Sequence, residues 1–354
     1  MQGMENKALN LMDLAEQFHS PDSAREYLER LRWPEGPICP HCGVEGEAYK
    51  LTPKAIEPVT EPQSPVELQK RVRKPRRGLW KCAGCRKQFT VTVGTIFEDS
   101  HIPLNKWLLA FHLVCASKKG MSAHQLHRML GVTYKSAWFM AHRIRYAMSQ
   151  EPLASKLTGV VEADETYIGG FRRIGPHAKK VGERAQDRPG PVAGKAAVFS
   201  VLQRDGRVRS THMDRVLGKN LRAAIREVCA PEAHVITDDA RLYNGLHHDR
   251  KHSTVNHTEK EYARWEDGIC VTTNAVEGFF ANLKRGVNGT FHHVSKQHLH
   301  RYLSEFDFRY NARKMSDSDR REAAIKGVQG KRLYYRDPIG KADAEPLTGG
   351  TDDN

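Results

Sequence analysis

Long apolar runs are missing from this chain. No unbroken one is longer than Trp107 to Phe111, far short of the roughly 20 residues that span a bilayer. The opening stretch, Met1 to Phe18, has neither the basic lead nor the apolar core of a secretion signal. No membrane partner is therefore expected, and the cytoplasm is the expected location. Cysteine is scarce as well, seven in 354 residues, and an odd number in a reducing compartment argues against a disulfide framework. No internal repeat is visible. Acidic residues are outnumbered, 42 against 56 Lys and Arg, for a net charge of +14. That balance is silent about fold, but it favours a polyanionic partner, nucleic acid above all.

Apolar spacing predicts a helix over residues 5–18 and a second after Ser20, which can cap, with Pro21 in the first turn. A low-apolar stretch from Pro53 to Arg77 reads as a flexible inserted loop. It ends in "KRVRKPRR", where six of eight residues are basic. Residues 104–117 read as helical. Two more helices follow, with Ser122 and Thr133 as N-caps and Gly131 at the turn. This pair fits a helix-turn-helix or an ordinary helical hairpin. On its second helix Lys135, His142, Arg143 and Arg145 oppose an apolar set, a face suited to lie along DNA. From residue 159 strands and helices mix. Strands are expected at "GVVEADETYIG", "HVITDD" and "STVNH", and a hairpin around Asp205-Gly206. Helices are expected at "GKNLRAAIREVCA", from Thr273 or Asn274 onward, and at "SKQHLHRYLSEFDFRYNAR". In the last, Arg309 and Arg313 share a side with Glu305 and serve either phosphate binding or pairing with that acid. Residues after about Asp337 read as unstructured.

Four cysteines form two close pairs, Cys39/Cys42 and Cys82/Cys85, with 39 residues between them. Two such turns complete a thiolate tetrahedron around Zn²⁺, a structural site with no open position. A redox pair would need a thioredoxin-like context, which is absent.

Asp164 lies in strand-like sequence between Glu162 and Glu165, where acids are poor strand formers and costly to bury. Asp238, preferred over Asp239, ends a later strand, and Glu277 sits in the first turn of a helix with Lys284 two turns on. There are 73 residues between Asp164 and Asp238, and 38 more before Glu277. Two strand-end aspartates and a helical glutamate suit a pair of divalent cations, Mg²⁺ (or Mn²⁺), which prefer oxygen and bind phosphates. Taken singly, Asp238 also fits an Asx turn and Glu277 a dipole-favoured acid. His257, His292 and His293 lie near these segments but do not suit an oxygen-preferring ion.

The pieces "CPHCG", "WKCAGCRKQFTVTVGTIF", "VEADETYIGG", "VITDD", "TTNAVEGFFANLKRGVNGTFHHVS" and "HLHRYLSEFDFRYNAR" occur in that order. Together they resemble the zinc-ribbon DDE transposases of bacterial insertion sequences, an ISXO-like group related to the eukaryotic Merlin transposases. The resemblance implies an α/β catalytic core, a ribonuclease-H-like mixed sheet flanked by helices, preceded by a zinc ribbon and a helix-turn-helix. It carries Asp164 and Asp238 over as catalytic acids. Glu277 takes the third place, with Asn274 as accessory or alternative ligand and Lys284 and Arg285 on the phosphate backbone. It implies Mg²⁺-dependent cutting and joining of double-stranded DNA, terminal inverted repeats and target alike, by a homodimer or larger assembly in the bacterial nucleoid. Repeat recognition would fall to the ribbon, to Arg71, Arg73, Lys74, Arg76 and Arg77, and to Lys135, Arg143 and Arg145.

The expected division is a helical segment (1–35), a zinc ribbon with basic insertion (36–100), a helix-turn-helix (101–150), the catalytic domain (155–315) and a C-terminal extension, partly disordered (316–354). Two other functions fit the same residues: a catalytically inert DNA-binding regulator, and a ribonuclease-H-like nuclease that joins nothing.

Overall fold

A computed structural model gives the structure over residues 11–51, 77–149, 155–169 and 195–339. Most of the expected loop lies outside the described residues, with Arg71, Arg73, Lys74 and Arg76 in it. The end of the chain beyond residue 339 lies outside them too. The chain divides into two compact units. One takes residues up to His112 together with Asp317–Leu333; the other takes Leu113–Ser316 with the residues from Tyr334 on.

In the first unit, α1 (Leu11–Gln17) and α2 (Pro21–Arg32) form where the caps predict. Ser20 and Ser23 make a capping box, the Ser20 Oγ accepting from Ser23 N at 3.1 Å. A small antiparallel sheet follows, β1 (Ala48–Lys50), β2 (Trp80–Cys82) and β3 (Gln88–Phe89). Trp33 meets Trp80 and Phe89 edge-on at 5.9 and 5.8 Å, so the sheet rests on a few aromatic rings. In α3 (Leu104–Ala116), Trp107 and Phe111 are buried against Phe97. The helix Asp317–Lys326, expected in a partly disordered extension, belongs to this unit. Its Arg321 is buried over the rings of Phe18 and Tyr27, and the Tyr27 hydroxyl donates to Glu322 at 2.9 Å.

The second unit opens with α4 (Ala123–Leu130) and α5 (Tyr134–Ala147). Ser122 and Thr133 cap them, and Gly131 closes α4 at φ 57°, a left-handed turn that favours glycine. A five-stranded sheet follows: β4 (Val160–Ile168), β5 (Ala196–Gln203), β6 (Val208–Met213), β7 (His234–Asp238) and β8 (His252–Val255). Its order is β6-β5-β4-β7-β8, antiparallel from β6 to β4 and parallel from β4 to β8. Helix α6 (Gly218–Val228) covers one face; α7 (Asn274–Gly286) and α8 (Lys296–Asn311) cover the other. This is the mixed, helix-flanked sheet expected of a ribonuclease-H-like core.

The basic stripe on α5 requires a correction. His142, Arg143 and Arg145 are buried, so they do not form a DNA-facing surface. Arg145 Nε lies 2.5 Å from Glu305 of α8, a fully buried acid that also pairs with Arg309, and its guanidinium stacks 3.9 Å over Tyr302. Burial alone would push the Glu305 carboxyl up, but Arg309 and Arg145 hold it below its ordinary value. These contacts place α4 and α5 in the unit of the sheet rather than in a domain of their own. Glu305→Ala would strand two buried cations and is expected to cost about 3–5 kcal/mol, read as a lowered urea midpoint. A midpoint unchanged from wild type would show that the network holds nothing.

Candidate active site and metal centre

Strand β4 alternates, so its acids part company. Val161 and Ala163 point into the core under α6, while Ile168 points into the core under α7 and α8. Glu162 and Asp164 share the second face. On β7, Val235 belongs to the α6 side, whereas Ile236 packs with Val160, on the face of Asp164. The parallel register sets Glu162 beside Ile236. The pairing stops there: Asp238, two residues on, ends β7, whereas Asp164 lies in the middle of β4, across from Ser200 of β5, and not at the strand end expected for it.

Crowding shows in the acidities. Burial raises the Asp164 carboxyl to about 7, and the charges of Glu165, Asp238 and Glu277 push the same way against a bond from Glu165 N–H. Asp238 is raised by burial, opposed by the Ala240 amide that donates to it at 3.2 Å, the Asx turn that its position suggests. Asp239 is exposed. Glu277 is exposed on α7, where Thr273 Oγ1 donates to its carboxylate at 2.8 Å and His257 Nε2 lies 3.4 Å away. Asn274, Lys284 and Arg285 are exposed on the same helix, with Arg285 bonded to Asn282 at 2.6 Å.

Sequence reasoning missed the role of Glu162. It is fully buried, and its carboxylate accepts from the amides of Ala275 and Val276 at 2.8 and 3.1 Å. Helix α7 has no side-chain cap from its own N-cap, Thr273. An acid 113 residues earlier supplies one, favoured by the helix dipole. Arg204 grips the same carboxylate at 2.8 Å and donates to the carbonyls of Cys270 and Thr272. The buried Glu162 and the half-buried Arg204 thus tie the strand of Asp164 to the helix of Glu277. Glu165 points the other way and accepts from the buried Tyr243 hydroxyl. The run of acids was visible, but the partners that sort them were too distant in sequence to see.

The cysteines meet in the first unit. All four Sγ atoms lie within 4.8 Å of one another, with Cys39–Cys85 at 3.6 Å and Cys42–Cys82 at 3.7 Å. A tetrahedron with Zn–S bonds of about 2.3 Å has sulfurs about 3.8 Å apart, so the donor set and its size fit zinc. Burial works against ionisation of Cys39, yet the amides of His41 and Cys42 and the neighbouring thiols bring it down to about 7. Cys42, despite the Val44 amide, is pushed up to about 12 by the thiols around it, because thiols this close do not all ionise without a cation. Among the described residues, Asp164, Asp238 and Glu277 do not form a comparably close cluster.

Residues 156–311 match the family model described as an ISXO2-like transposase domain, and residues 19–88 match a transposase zinc-ribbon domain. Two separate parts of the chain, the cysteine-bearing segment and the sheet domain, thus match transposase family models. The chain is also similar to an uncharacterized protein in transposable element ISH50 of Halobacterium salinarum. It is 26% identical over 303 residues, covering 82% of this chain and 91% of that protein. Among solved structures, the simian T-cell lymphotropic virus intasome in complex with PP2A regulatory subunit B56 gamma contains a chain 14% identical to this one. The match covers 51% of this chain and 63% of that one at a TM-score of 0.27. Among the described residues, no helix is long and apolar enough to cross a membrane.

Of the expected DNA contacts, Lys135 is exposed, its ammonium 4.4 Å from the Tyr335 ring. Arg77 is also exposed and pairs with Asp22.

Proposed function

We propose that this protein is a transposase, which cuts and joins DNA strands at Asp164, Asp238 and Glu277. One observation carries the reading: the stretch that holds all three acids, residues 156–311, matches the ISXO2-like transposase domain. Asp164, Asp238 and Glu277 would hold the divalent cations, Mg²⁺ or Mn²⁺, an all-oxygen set that suits them. When bound, such ions stabilise charge on a phosphodiester and lower the pKa of a water.

The chain's own residues do the positioning. The middle of β4 fixes Asp164 and the end of β7 fixes Asp238, Thr273 and His257 orient Glu277, and Lys284 and Arg285 meet the backbone phosphates, with Asn274 as accessory ligand. Water opens the phosphodiester at an element end and leaves a 3′-hydroxyl. That hydroxyl attacks a target phosphodiester, so one P–O bond forms as another breaks. Terminal inverted repeats are read by the zinc ribbon, the basic block ending at Arg77, and the α4–α5 pair used as a helix-turn-helix through Lys135. Base-edge contacts give specificity, and basic side chains give salt-dependent affinity. Two element ends must be held together, so the working form is a homodimer or larger, acting on nucleoid DNA.

The test is a strand-transfer assay on duplexes carrying the element's own ends. Joined product that depends on Mg²⁺ or Mn²⁺ is expected. Cleavage without joining would leave a nuclease, and binding with neither would leave a regulator.

A further inference from the structure

A hairpin that the sequence reading did not anticipate stands between β8 and α7. Its strands, β9 (Arg264–Glu266) and β10 (Ile269–Val271), pair antiparallel around Asp267-Gly268. Both turn residues have positive φ, 49° and 75°, the signature of a tight two-residue hairpin turn. Trp265 is 77% exposed and Tyr262, two residues before β9, is 63% exposed. Scattered exposed apolar residues are ordinary, but these two large rings belong to one short segment.

The base of this hairpin is held firmly. Val271 is buried with Ile236 and Val255, Arg204 donates to Cys270 O at 2.7 Å, and Arg264 donates to Thr254 O at 2.6 Å. The segment also adjoins the acids. The Tyr262 ring lies 6.0 Å from that of His257, which contacts Glu277, and the Tyr262 carbonyl accepts from Thr272 at the entry to α7. Several charges here are already paired: Arg264 with Glu261 and Glu266, and Asp267 with Lys251. What the hairpin offers a ligand is therefore an aromatic face rather than a phosphate clamp.

We propose that Trp265, supported by Tyr262, is a stacking platform for an unpaired nucleobase of the DNA strand held at the acids. Every base has a π-face, so such a platform takes a base without reading its identity. A strand whose backbone lies at Asp164 and Glu277 would bring its bases past this hairpin. The inference rests on the proposed function, because it takes DNA to be what the acids hold.

The test uses the full-length protein and two probes: oligothymidylate with one 2-aminopurine, and a blunt, fully paired duplex. Wild type is expected to quench the 2-aminopurine. Trp265→Ala should lose the quenching and roughly tenfold in affinity for the single strand, while Trp265→Phe keeps most of both. Affinity for the paired duplex should change less than about twofold, since its bases stay stacked on one another. Unchanged single-strand binding by Trp265→Ala would overturn the proposal, as would equal losses on both probes. So would altered sedimentation with unaltered quenching, which would mark a contact with a second copy of this chain. Asp164→Asn, run beside it, keeps the two readings apart. If that variant still cleaves, the catalytic reading falls; if it is dead while Trp265→Ala quenches normally, only the platform does.

Discussion

Asp164→Asn is expected to lower strand cleavage by roughly a thousandfold, the scale on which losing a charge-stabilising group at a reacting centre is felt, while making the protein harder to unfold. Both results have one cause. Burial and the acids nearby hold the Asp164 carboxyl up to about 7, against an ordinary 3.8. Between those values the folded chain keeps a proton that the unfolded chain has released. Stability from this group is therefore complete below about pH 4 and is lost as pH rises to about 7. Asn carries no such titration. Without added divalent metal, the variant should match wild type near pH 4 and exceed it at pH 8 by on the order of 2 kcal/mol, after allowance for the solvent the carboxyl still meets. Urea midpoints across that range measure the gap. Added Mg²⁺ should narrow it by binding wild type alone. Equal midpoints at pH 8, or full cleavage by the variant, would remove Asp164 from the site.

Zinc removal should have the second large effect, confined to the ribbon. Binding at a four-thiolate site is worth about 10–16 kcal/mol near neutral pH. Against that, the ribbon has strands of three, three and two residues and a small group of rings around Trp33. A strong chelator, or Cys82→Ser, is expected to expose Trp33 and Trp80 and release one zinc per chain. A red shift in tryptophan emission and metal analysis would report this. A ribbon that stays folded after its metal has gone would contradict the assignment.

Much of this architecture was legible because its signals are local. Ser20, Ser122 and Thr133 announce helix starts within three residues of their partners, and the two cysteine pairs announce their turns. The alternation along β4 and the end of β7 likewise pointed to Asp164 and Asp238. What stayed hidden depends on partners far along the chain. The basic stripe on α5 looks like a surface until Glu305, 160 residues away, is found beneath Arg145. Glu162 looks like a third surface acid until its partners, Arg204 and the start of α7, are seen. The 264–271 hairpin is a different case. Its Asp-Gly turn is a short-range signal, overlooked because the flanking strands are only three residues each.

The sorting of acids along β4 bears on how a mutational screen would score. Neutralising Glu162, Asp164 or Glu165 should each register as a defect, and a naive tally would credit the centre with too many ligands. The three failures differ in kind: a loosened helix end, a lost cation, and a buried tyrosine hydroxyl left without its acceptor. Only the second should alter how much manganese the folded protein retains, so metal titration rather than turnover tells the ligand from its scaffolding.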